Sequence, residues 1–214
     1  MISPARSDPA GARQGSSDAD HRTRPRRRGA ALETAILEAV LAELAEGGYA
    51  RLSVERVAER AGASKASLYR RWPGKAELVM DAVRSVLPDP HDTPDTGSLR
   101  GDLLALYRAV AHQLAGPAGQ GLRGLLGDAL RDESRATRVR EYARGTSQRV
   151  VQEVVRRAVE RGEVDPAAAT PRRLEAGQAQ LRYHFLVHGA PVPDDVVVGI
   201  VDEVVVPLLL LPPP

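Results

Sequence analysis

Apolar residues recur every three or four positions through most of this 214-residue chain, the spacing that places them on one face of an α-helix. The first helical segment begins at Ala31 and is expected to stop at Gly47-Gly48, because glycine is typical of helix C-termini. Its apolar face consists of Leu32, Ile36, Val40 and Leu44. The valine-rich stretch 196–206 has strand propensity, but the spacing of a helix face is kept by Val197, Val201, Val204, Leu208 and Leu211. The sequence therefore predicts an all-α fold.

Proline marks the boundary between two groups of predicted helices. The segment 88–97 holds three prolines in ten residues and predicts a linker. Residues 29–87 before it predict a small helical domain, and residues 98–214 after it predict a larger helical bundle. The bundle helices are expected near 98–115, 119–131, 133–161, 170–188 and 194–210.

The composition excludes several classes of function. The chain contains no cysteine, which excludes disulfides, zinc–thiolate sites and thiol catalysis. Its longest apolar run, 196–211, is broken by Asp202, Glu203 and Pro207 and falls short of the ~20 apolar residues that a membrane span needs. Residues 2–19 are polar and lack an apolar core segment, so we expect no signal peptide. We therefore expect a cytoplasmic protein that has no cofactor and does not enter the membrane.

Basic residues concentrate in two places, although the formal net charge of the chain is only +2. Residues 1–28 carry seven arginines against three aspartates, lack apolar periodicity and predict a disordered basic arm. The end of this arm, 22–28, either contacts phosphate or is simply solvated. From Ser64 to Lys75 the chain holds both of its lysines and two arginines, with no acid. A local cluster of this kind favours contact with nucleic acid over general polyanion binding.

The region 53–75 carries the pattern of two short helices joined by a tight turn. Ser53 and Ser64 are each suited to cap the start of a helix, and Gly62 supplies the turn between them. Small residues lie where the helices cross, at Ala58, Ala61 and Ala63. In the second helix the inward residues are Leu68 and Trp72, and the outward ones are Ser64, Lys65, Ser67, Tyr69, Arg70 and Arg71. This arrangement predicts a helix-turn-helix whose second helix enters the major groove of DNA, with a purely structural hairpin as the alternative.

This region resembles a known family of DNA-binding proteins. The stretch SVERVAERAGASKASLYRRWPGKAELV (53–79) is similar to the DNA-binding segment of the tetracycline-repressor (TetR) family of bacterial transcription regulators. The similarity extends back through the helix 31–46 and covers residues 30–87. Residues 161–165 and 181–189 resemble, more loosely, the ligand-binding and dimerisation domain of an actinobacterial subgroup. The resemblance implies a three-helix DNA-binding domain followed by a helical domain for ligand binding and dimerisation.

The resemblance also implies roles for individual residues at the DNA. Lys65, Ala66 and Ser67 would open the recognition helix and face base edges. Tyr69 and Lys75 would contact the phosphate backbone, and Lys75 also opens the next helix, whose N-terminus favours anions. The complete set of expected DNA-contacting residues is Ser53, Ser64, Lys65, Ala66, Ser67, Tyr69, Arg70, Arg71 and Lys75.

The chain departs from the family pattern at three positions. Arg56 lies three residues after Ser53, where many members carry an acid that completes a capping box. It either weakens the cap or adds a phosphate contact. Arg71 stands where histidine is common and Ala66 where glycine or proline is common, which bears on the operator sequence rather than on DNA binding itself.

Two further patterns have both a functional and a structural interpretation. Gly119–Gly124 fits the dinucleotide-binding fingerprint GxGxxG, but it follows a predicted helix and no strand, so we interpret it as a chance match. His184 and His188 lie four residues apart, the spacing of a metal-binding pair, yet Phe185 stands where zinc proteases carry glutamate. We therefore expect these histidines to be partly buried or to line a cavity, with no metal bound.

A helical bundle of this size can hold a ligand between its helices. The candidates for ligand contacts are Tyr107, His112, Arg123, Tyr142, Tyr183 and His184, with Arg182 in the same group of polar and aromatic residues. Each of them taken alone is more often an ordinary core or surface residue. Because aromatic residues make up only 3% of the chain, the pocket is expected to be lined mainly by Leu, Val and Ala and to accept an apolar or mixed small molecule.

These observations predict a homodimeric transcriptional regulator associated with the nucleoid. Two helix-turn-helix units would read a palindromic operator, and the dimer interface is expected within residues 170–211, in the helices 170–188 and 194–210. A small-molecule effector would favour a dimer with wrongly spaced recognition helices and so release the DNA, which makes repression the expected output. The alternatives are an effector-free or activating DNA-binding dimer of the same fold and a small helical enzyme, for which no nucleophile–base or paired-carboxylate pattern is found.

Overall fold

The computed structural model describes residues 29–134, 136–137 and 146–212, and every regular element in these ranges is helical. The N-terminal helices, here called the head, are α1 (Ala30–Arg51), α2 (Val54–Ala61), α3 (Lys65–Tyr69) and α4 (Lys75–Ser85). The C-terminal helices, here called the body, are α5 (Leu99–Leu114), α6 (Pro117–Ala129), α7 (Thr146–Glu160), α8 (Pro171–His188), α9 (Asp194–Gly199) and α10 (Val206–Leu210). A π-helical segment, Ile200–Val205, joins α9 to α10 in one continuous helix. The all-α prediction is confirmed.

The predicted helix ends agree closely with the observed ones wherever the structure describes the chain. Gly48 has φ +67°, a left-handed conformation that interrupts α1, so the predicted stop at Gly47-Gly48 is confirmed. Of the predicted helix 133–161, residues 135 and 138–145 lie outside the described residues, as does the basic arm 1–28. None of the described helices is both long enough and apolar enough to cross a membrane.

The core of the head is built by α1–α4 together with α6 of the body. The fully buried residues of the predicted face of α1 are Ile36, Val40 and Leu44. Leu32, at the start of the same face, is only partly buried. Helix α6 adds Ala118 and Leu125 to this core, although it follows the linker in the sequence. The division of the chain into two domains at 88–97 therefore stays a prediction, because α6 follows the linker in the sequence but packs in the core of the head.

Glycines allow α6 to approach the head closely. A Cβ at Gly121 would lie 3.0 Å from Leu44 Cδ1 and 3.1 Å from Val83 Cγ2, and one at Gly124 would overlap the side chain of Tyr49. These glycines belong to the GxGxxG pattern, which follows α5 and a short turn rather than a strand. The preceding strand that a dinucleotide-binding fingerprint requires is therefore not found at this pattern, and its glycines allow close helix packing.

The core of the body lies between α5, α7, α8 and the continuous helix 194–210. Its largest fully buried side chains are Leu103, Leu106, Tyr107, Leu181, Phe185 and Leu209. The helix 194–210 is buried on Val197, Val201, Val205 and Leu209. The predicted helix is confirmed, but only Val197 and Val201 of the residues that carried its spacing are buried, since Val204 and Leu208 are partly buried and Leu211 is exposed. The π-helical segment has i→i+5 hydrogen bonds and therefore more residues per turn than an α-helix. Because of these wider turns, every fourth residue from Val197 to Leu209 lies on the buried side of the helix.

A buried carboxylate fastens the linker to the body. Asp102 of α5 is completely buried and accepts hydrogen bonds from the backbone N–H and the hydroxyl of Thr96 at 2.5 and 2.7 Å. Arg161 pairs with the other oxygen of Asp102 at 3.1 Å, and Arg157 donates to the carbonyl oxygen of Thr93 at 3.1 Å. The second half of the predicted linker thus lies against the body.

Candidate nucleic-acid interface

Two serine caps and a left-handed glycine determine the geometry of α2 and α3. The Ser53 hydroxyl accepts the Arg56 backbone N–H at 3.3 Å, and the Ser64 hydroxyl accepts the Ser67 backbone N–H at 3.2 Å. Between the helices Gly62 has φ +64°, a conformation that other residues adopt only with strain. The predicted caps and turn are confirmed, and α2 and α3 have the arrangement of a helix-turn-helix.

Two buried side chains hold α3 against the rest of the head. Leu68 is 1% exposed and Trp72 is 4% exposed. The indole N–H of Trp72 donates to Asp81 Oδ2 at 2.7 Å, which ties the end of α3 to α4. Both inward assignments are confirmed, and the opposite side of α3 consequently faces away from the core.

That outer side of α3 presents cations and hydroxyls to solvent. Tyr69 is 50% exposed. The other exposed residues are Ser64, Lys65, Ala66, Arg70 and Arg71, with Ser67 partly buried among them. Lys65 Nζ lies 3.1 Å from a Glu55 carboxylate oxygen, and Arg71 Nε lies 3.7 Å from one of Glu33. Exposed ion pairs of this kind contribute little to the stability of the fold and are screened by salt. A DNA phosphate can therefore replace either carboxylate as the partner of the cation.

Lys75 lies at the first residue of α4, beside the end of α1. Its ammonium is 4.3 Å from the centroid of the Tyr49 ring and 3.5 Å from the Ala50 carbonyl oxygen. Burial lowers the pKa of Lys75, and the charge of the Asp128 carboxylate opposes that shift. The Tyr49 hydroxyl donates to Asp128 Oδ2 at 2.9 Å. Sequence reasoning missed Asp128 as a neighbour of Lys75, because it lies on the distant helix α6 and no local pattern marks it.

Arg56 has a partner inside the head. Its guanidinium pairs with Glu43 of α1 at 2.8 Å, and Arg60 pairs with the same carboxylate at 3.0 Å. Glu43 is only 3% exposed, and the two guanidinium groups are its ion-pair partners in the interior of the head. The Ser53 cap forms although Arg56 replaces the acid of the family pattern, and Arg56 pairs with a carboxylate of the head. The two alternatives, a weaker cap and an added phosphate contact, both stay predictions.

A cavity of about 90 Å³ lies between the body helices and the end of the head. It is lined by Leu87, Pro88, Leu106, Val110, Leu114, Leu122, Val150, Gln178, Leu181 and Arg182. The lining is mainly Leu and Val, in agreement with the expectation from the low aromatic content. Its polar side chains come from Gln178 and Arg182, and both belong to α8.

Of the polar and aromatic residues grouped as ligand candidates, Arg182 lines this cavity. The other candidates among the described residues do not line it. Tyr107 is buried, and its hydroxyl has no hydrogen-bond partner among the described residues. His112 and Arg123 are exposed, and the Arg123 guanidinium lies 4.9 Å from the centroid of the Phe185 ring. Tyr142 lies outside the described residues. The assignment of ligand contacts to these residues stays a prediction, and the lining of the cavity adds further candidates.

The other two ligand candidates lie near the C-terminal end of α8. Tyr183 is exposed, whereas His184 is partly buried and its Nδ1 lacks a partner in the part of the chain that the structure describes. The rings of His184 and His188 are 4.7 Å apart between centroids, and His188 is exposed. Among the described residues no further His, Asp or Glu joins them in a cluster that could hold a metal ion.

Two capped helices, a glycine turn and an exposed basic second helix define a helix-turn-helix DNA-binding protein. Residues 36–82 match the family model of bacterial regulatory proteins of the tetR family. Residues 93–204 match the model of the tetracyclin repressor-like C-terminal domain. The chain belongs to the TetR family, and it is a DNA-binding regulator of transcription.

Individual relatives agree with this assignment. An HTH-type transcriptional regulator of Mycobacterium tuberculosis is 33% identical over 177 residues, which cover 83% of this chain and 87% of the relative. The DNA-binding transcriptional repressor TetR of Mycobacteroides abscessus is 30% identical over 188 residues, which cover 85% of this chain and 96% of the relative. The crystal structure of a TetR family transcription regulator is 32% identical, with a TM-score of 0.68 over 81% of this chain and 96% of that one. All three of these proteins are named as regulators or repressors of transcription.

Proposed function

We propose that this regulator is a repressor that binds a palindromic operator as a homodimer and is released by a small molecule. The observation that carries the proposal is the exposed basic side of α3, which the serine caps and two buried side chains hold away from the core. The name of the Mycobacteroides abscessus relative, a DNA-binding transcriptional repressor, supports repression as the output. The protein acts at the nucleoid in the cytoplasm, where its DNA target lies.

The proposed DNA contacts fall into two groups, contacts to base edges and contacts to the phosphate backbone. At its start, Lys65, Ala66 and Ser67 face base edges in the major groove. Tyr69 and Lys75 contact the phosphate backbone, and their hydroxyl and ammonium groups are suited to that role. Further contacts to phosphate or flanking bases come from Ser53, Ser64, Arg70 and Arg71. The exposure and the positive charge of this surface support the assignment.

The proposed dimer forms through α8 and the helix 194–210. Large apolar side chains are exposed on α8, where Tyr183 is 60% exposed and Val187 is 57% exposed. A groove between the two helices is lined by Ala176, Ala179, Gln180, Tyr183 and Val204. Exposed apolar surface of this kind is typical of interfaces and supports pairing with a second copy. The two recognition helices would then lie about 34–36 Å apart, one turn of DNA.

The cavity is the proposed effector site. Because only Gln178 and Arg182 are polar among its lining residues, it fits an apolar or mixed small molecule with one polar end. Leu87 connects the cavity to the end of the head, and Leu122 connects it to α6, which packs on the head. A molecule that binds better after these elements move would lower DNA affinity by the difference between its affinities for the two states.

Fluorescence anisotropy tests the DNA-binding part of this proposal. The probe is a duplex that the wild-type protein selects from random DNA, measured at two salt concentrations. Wild type is expected to bind with a steep salt dependence, and Tyr69→Ala and Lys75→Ala are each expected to lose about tenfold in affinity. Arg84→Ala removes an exposed cation at the other end of α4 and, as the matched control, is expected to bind like wild type. A wild-type protein that selects no sequence would overturn the proposal.

A further inference from the structure

The head and α6 meet in a small polar cluster around Lys75. The Lys75 ammonium contacts the face of the Tyr49 ring, 4.3 Å from its centroid, and the Tyr49 hydroxyl donates to Asp128 Oδ2 at 2.9 Å. All three side chains line one open recess at the start of α4, together with Glu77. The cluster therefore joins the lysine proposed to contact DNA to a carboxylate of the body.

Close packing ties the position of this cluster to α6. Gly124 lies one turn before Asp128 on α6, and any side chain at Gly124 would overlap Tyr49. The Tyr49 side chain consequently packs directly on the backbone of α6. The distance between the Asp128 carboxylate and the head is thus set by helix packing and not by a flexible loop.

The Lys75 ammonium can interact with two anions, the Asp128 carboxylate and a phosphate of bound DNA. Partial burial lowers the pKa of the Lys75 ammonium, and the charge of Asp128 raises it, so the two groups already interact in the DNA-free protein. A phosphate that binds the Lys75 ammonium at the start of α4 would lie in the same recess as this carboxylate. It must also approach the negative charge of the carboxylate.

We infer that Asp128 is a positioning residue that limits DNA affinity, because its carboxylate competes with the DNA phosphate for the Lys75 ammonium. The inference rests on the proposed phosphate contact of Lys75. It gives α6, which supplies none of the proposed DNA contacts, a direct electrostatic effect on DNA affinity. The strength of the competition depends on how closely α6 packs against the head.

A double-mutant cycle on DNA affinity tests this competition, with the same selected duplex as probe. Asp128→Asn removes the charge and keeps an amide oxygen that can accept the Tyr49 hydroxyl. This variant is expected to bind about three- to fivefold more tightly than wild type. Its salt dependence is expected to be steeper, because the Lys75–phosphate contact is no longer opposed by a neighbouring carboxylate charge. In the Lys75→Ala background the same substitution is expected to change affinity by less than about twofold.

Two control variants separate charge from packing. Asp128→Glu keeps the charge and is expected to bind close to wild type. Tyr49→Phe removes the hydrogen bond to Asp128 but keeps the ring and both charges, so it is not expected to reproduce the gain of Asp128→Asn. Thermal unfolding of each variant establishes that it is folded at the temperature of the binding assay.

Each other outcome overturns a specific part of the argument. An equal gain from Asp128→Asn in both backgrounds would mean general repulsion of DNA, and weaker binding in both would mean a purely structural role for Asp128. Either result overturns the competition while leaving the proposed function intact. A Lys75→Ala variant that binds like wild type, or a wild type that selects no DNA, would instead overturn the proposed function at this residue, and the inference with it.

Discussion

The outer side of α3 in the head and the cavity in the body are built in opposite ways. Around α3 the side chains proposed to contact DNA are mostly exposed and polar, and separate buried side chains, Leu68 and Trp72, hold the helix in place. In the body, the residues that line the cavity also belong to the core, as Leu106 and Leu181 do. Substitutions on the outer side of α3 are therefore expected to change DNA affinity without changing the stability of the fold. Substitutions in the cavity are expected to change both the affinity for an effector and the stability of the fold.

A charge placed in the body core gives the largest expected effect. Val201 is completely buried, and Val201→Glu is expected to lower the free energy of unfolding by roughly 3 kcal/mol or more, because the new carboxylate has no partner. Val204→Glu lies at the groove between α8 and the last helix and is expected to keep the stability of the monomer while weakening the proposed dimer. Thermal unfolding and light scattering measure the two effects. Equal stability of the two variants would contradict the buried face described here.

Adjacent residues of α3 give the next largest effect and the sharpest contrast. Leu68→Ala removes a buried anchor and is expected to cost about 2–4 kcal/mol of unfolding free energy. Tyr69→Ala is expected to stay within about 0.5 kcal/mol of wild type and to lose about tenfold in DNA affinity. Urea denaturation and anisotropy on the same samples measure both. If Tyr69→Ala lost as much stability as Leu68→Ala, it would be wrong that buried residues hold α3 in place while exposed residues contact DNA.

Removing one buried hydroxyl from the body is expected to have a smaller effect of opposite sign. The Tyr107 hydroxyl is buried without a partner among the described residues, and burial raises the pKa of this phenol. Tyr107→Phe is expected to raise the unfolding free energy by about 1 kcal/mol, because the cost of burying an unsatisfied group is removed. Tyr183→Phe, at an exposed position, is the control and should be neutral. A destabilised Tyr107→Phe would show that the hydroxyl has a partner in the folded protein.

The smallest expected effect is a pH dependence of DNA binding. Since burial lowers the pKa of Lys75, its ammonium loses its charge at a lower pH than an exposed lysine does. Its contribution to DNA affinity is present below that pKa and is lost as the pH rises through it. Between neutral pH and about pH 10, wild type is expected to lose about twofold more affinity than Lys75→Arg, whose guanidinium stays charged. Identical pH profiles for the two proteins would contradict this role of the ammonium.

The arrangement of α2 and α3 was predictable because its determinants are local. Ser53, Gly62 and Ser64 each determine the backbone conformation of their own neighbours, so their order along the chain is enough to predict two helices and the turn between them. The cavity could not be predicted in this way. Its lining combines residues from several helices of ordinary apolar type, and only the tertiary packing brings them together.

The last helix shows a second limit of sequence reasoning. Periodicity correctly predicts a helix over 194–210, because its valines and leucines recur at helical spacing. It does not reveal the π-helical segment, which shifts the buried face from Val204 and Leu208 to Val205 and Leu209. Intervals measured on an ideal α-helix therefore fail after the irregular turn.

The attachment of the linker to the body affects the entropy change when the two heads of the proposed dimer bind the two half-sites of an operator. Thr93 and Thr96 are held by Arg157 and by the buried Asp102, so this part of the tether has lost its freedom before DNA arrives. In the proposed dimer, a stiff tether reduces the conformational entropy lost when the second head docks, and it raises the effective concentration of that head at one separation. It also narrows the range of separations within reach. Such a dimer would discriminate among operators by spacer length, and would reject two perfect half-sites held at the wrong distance.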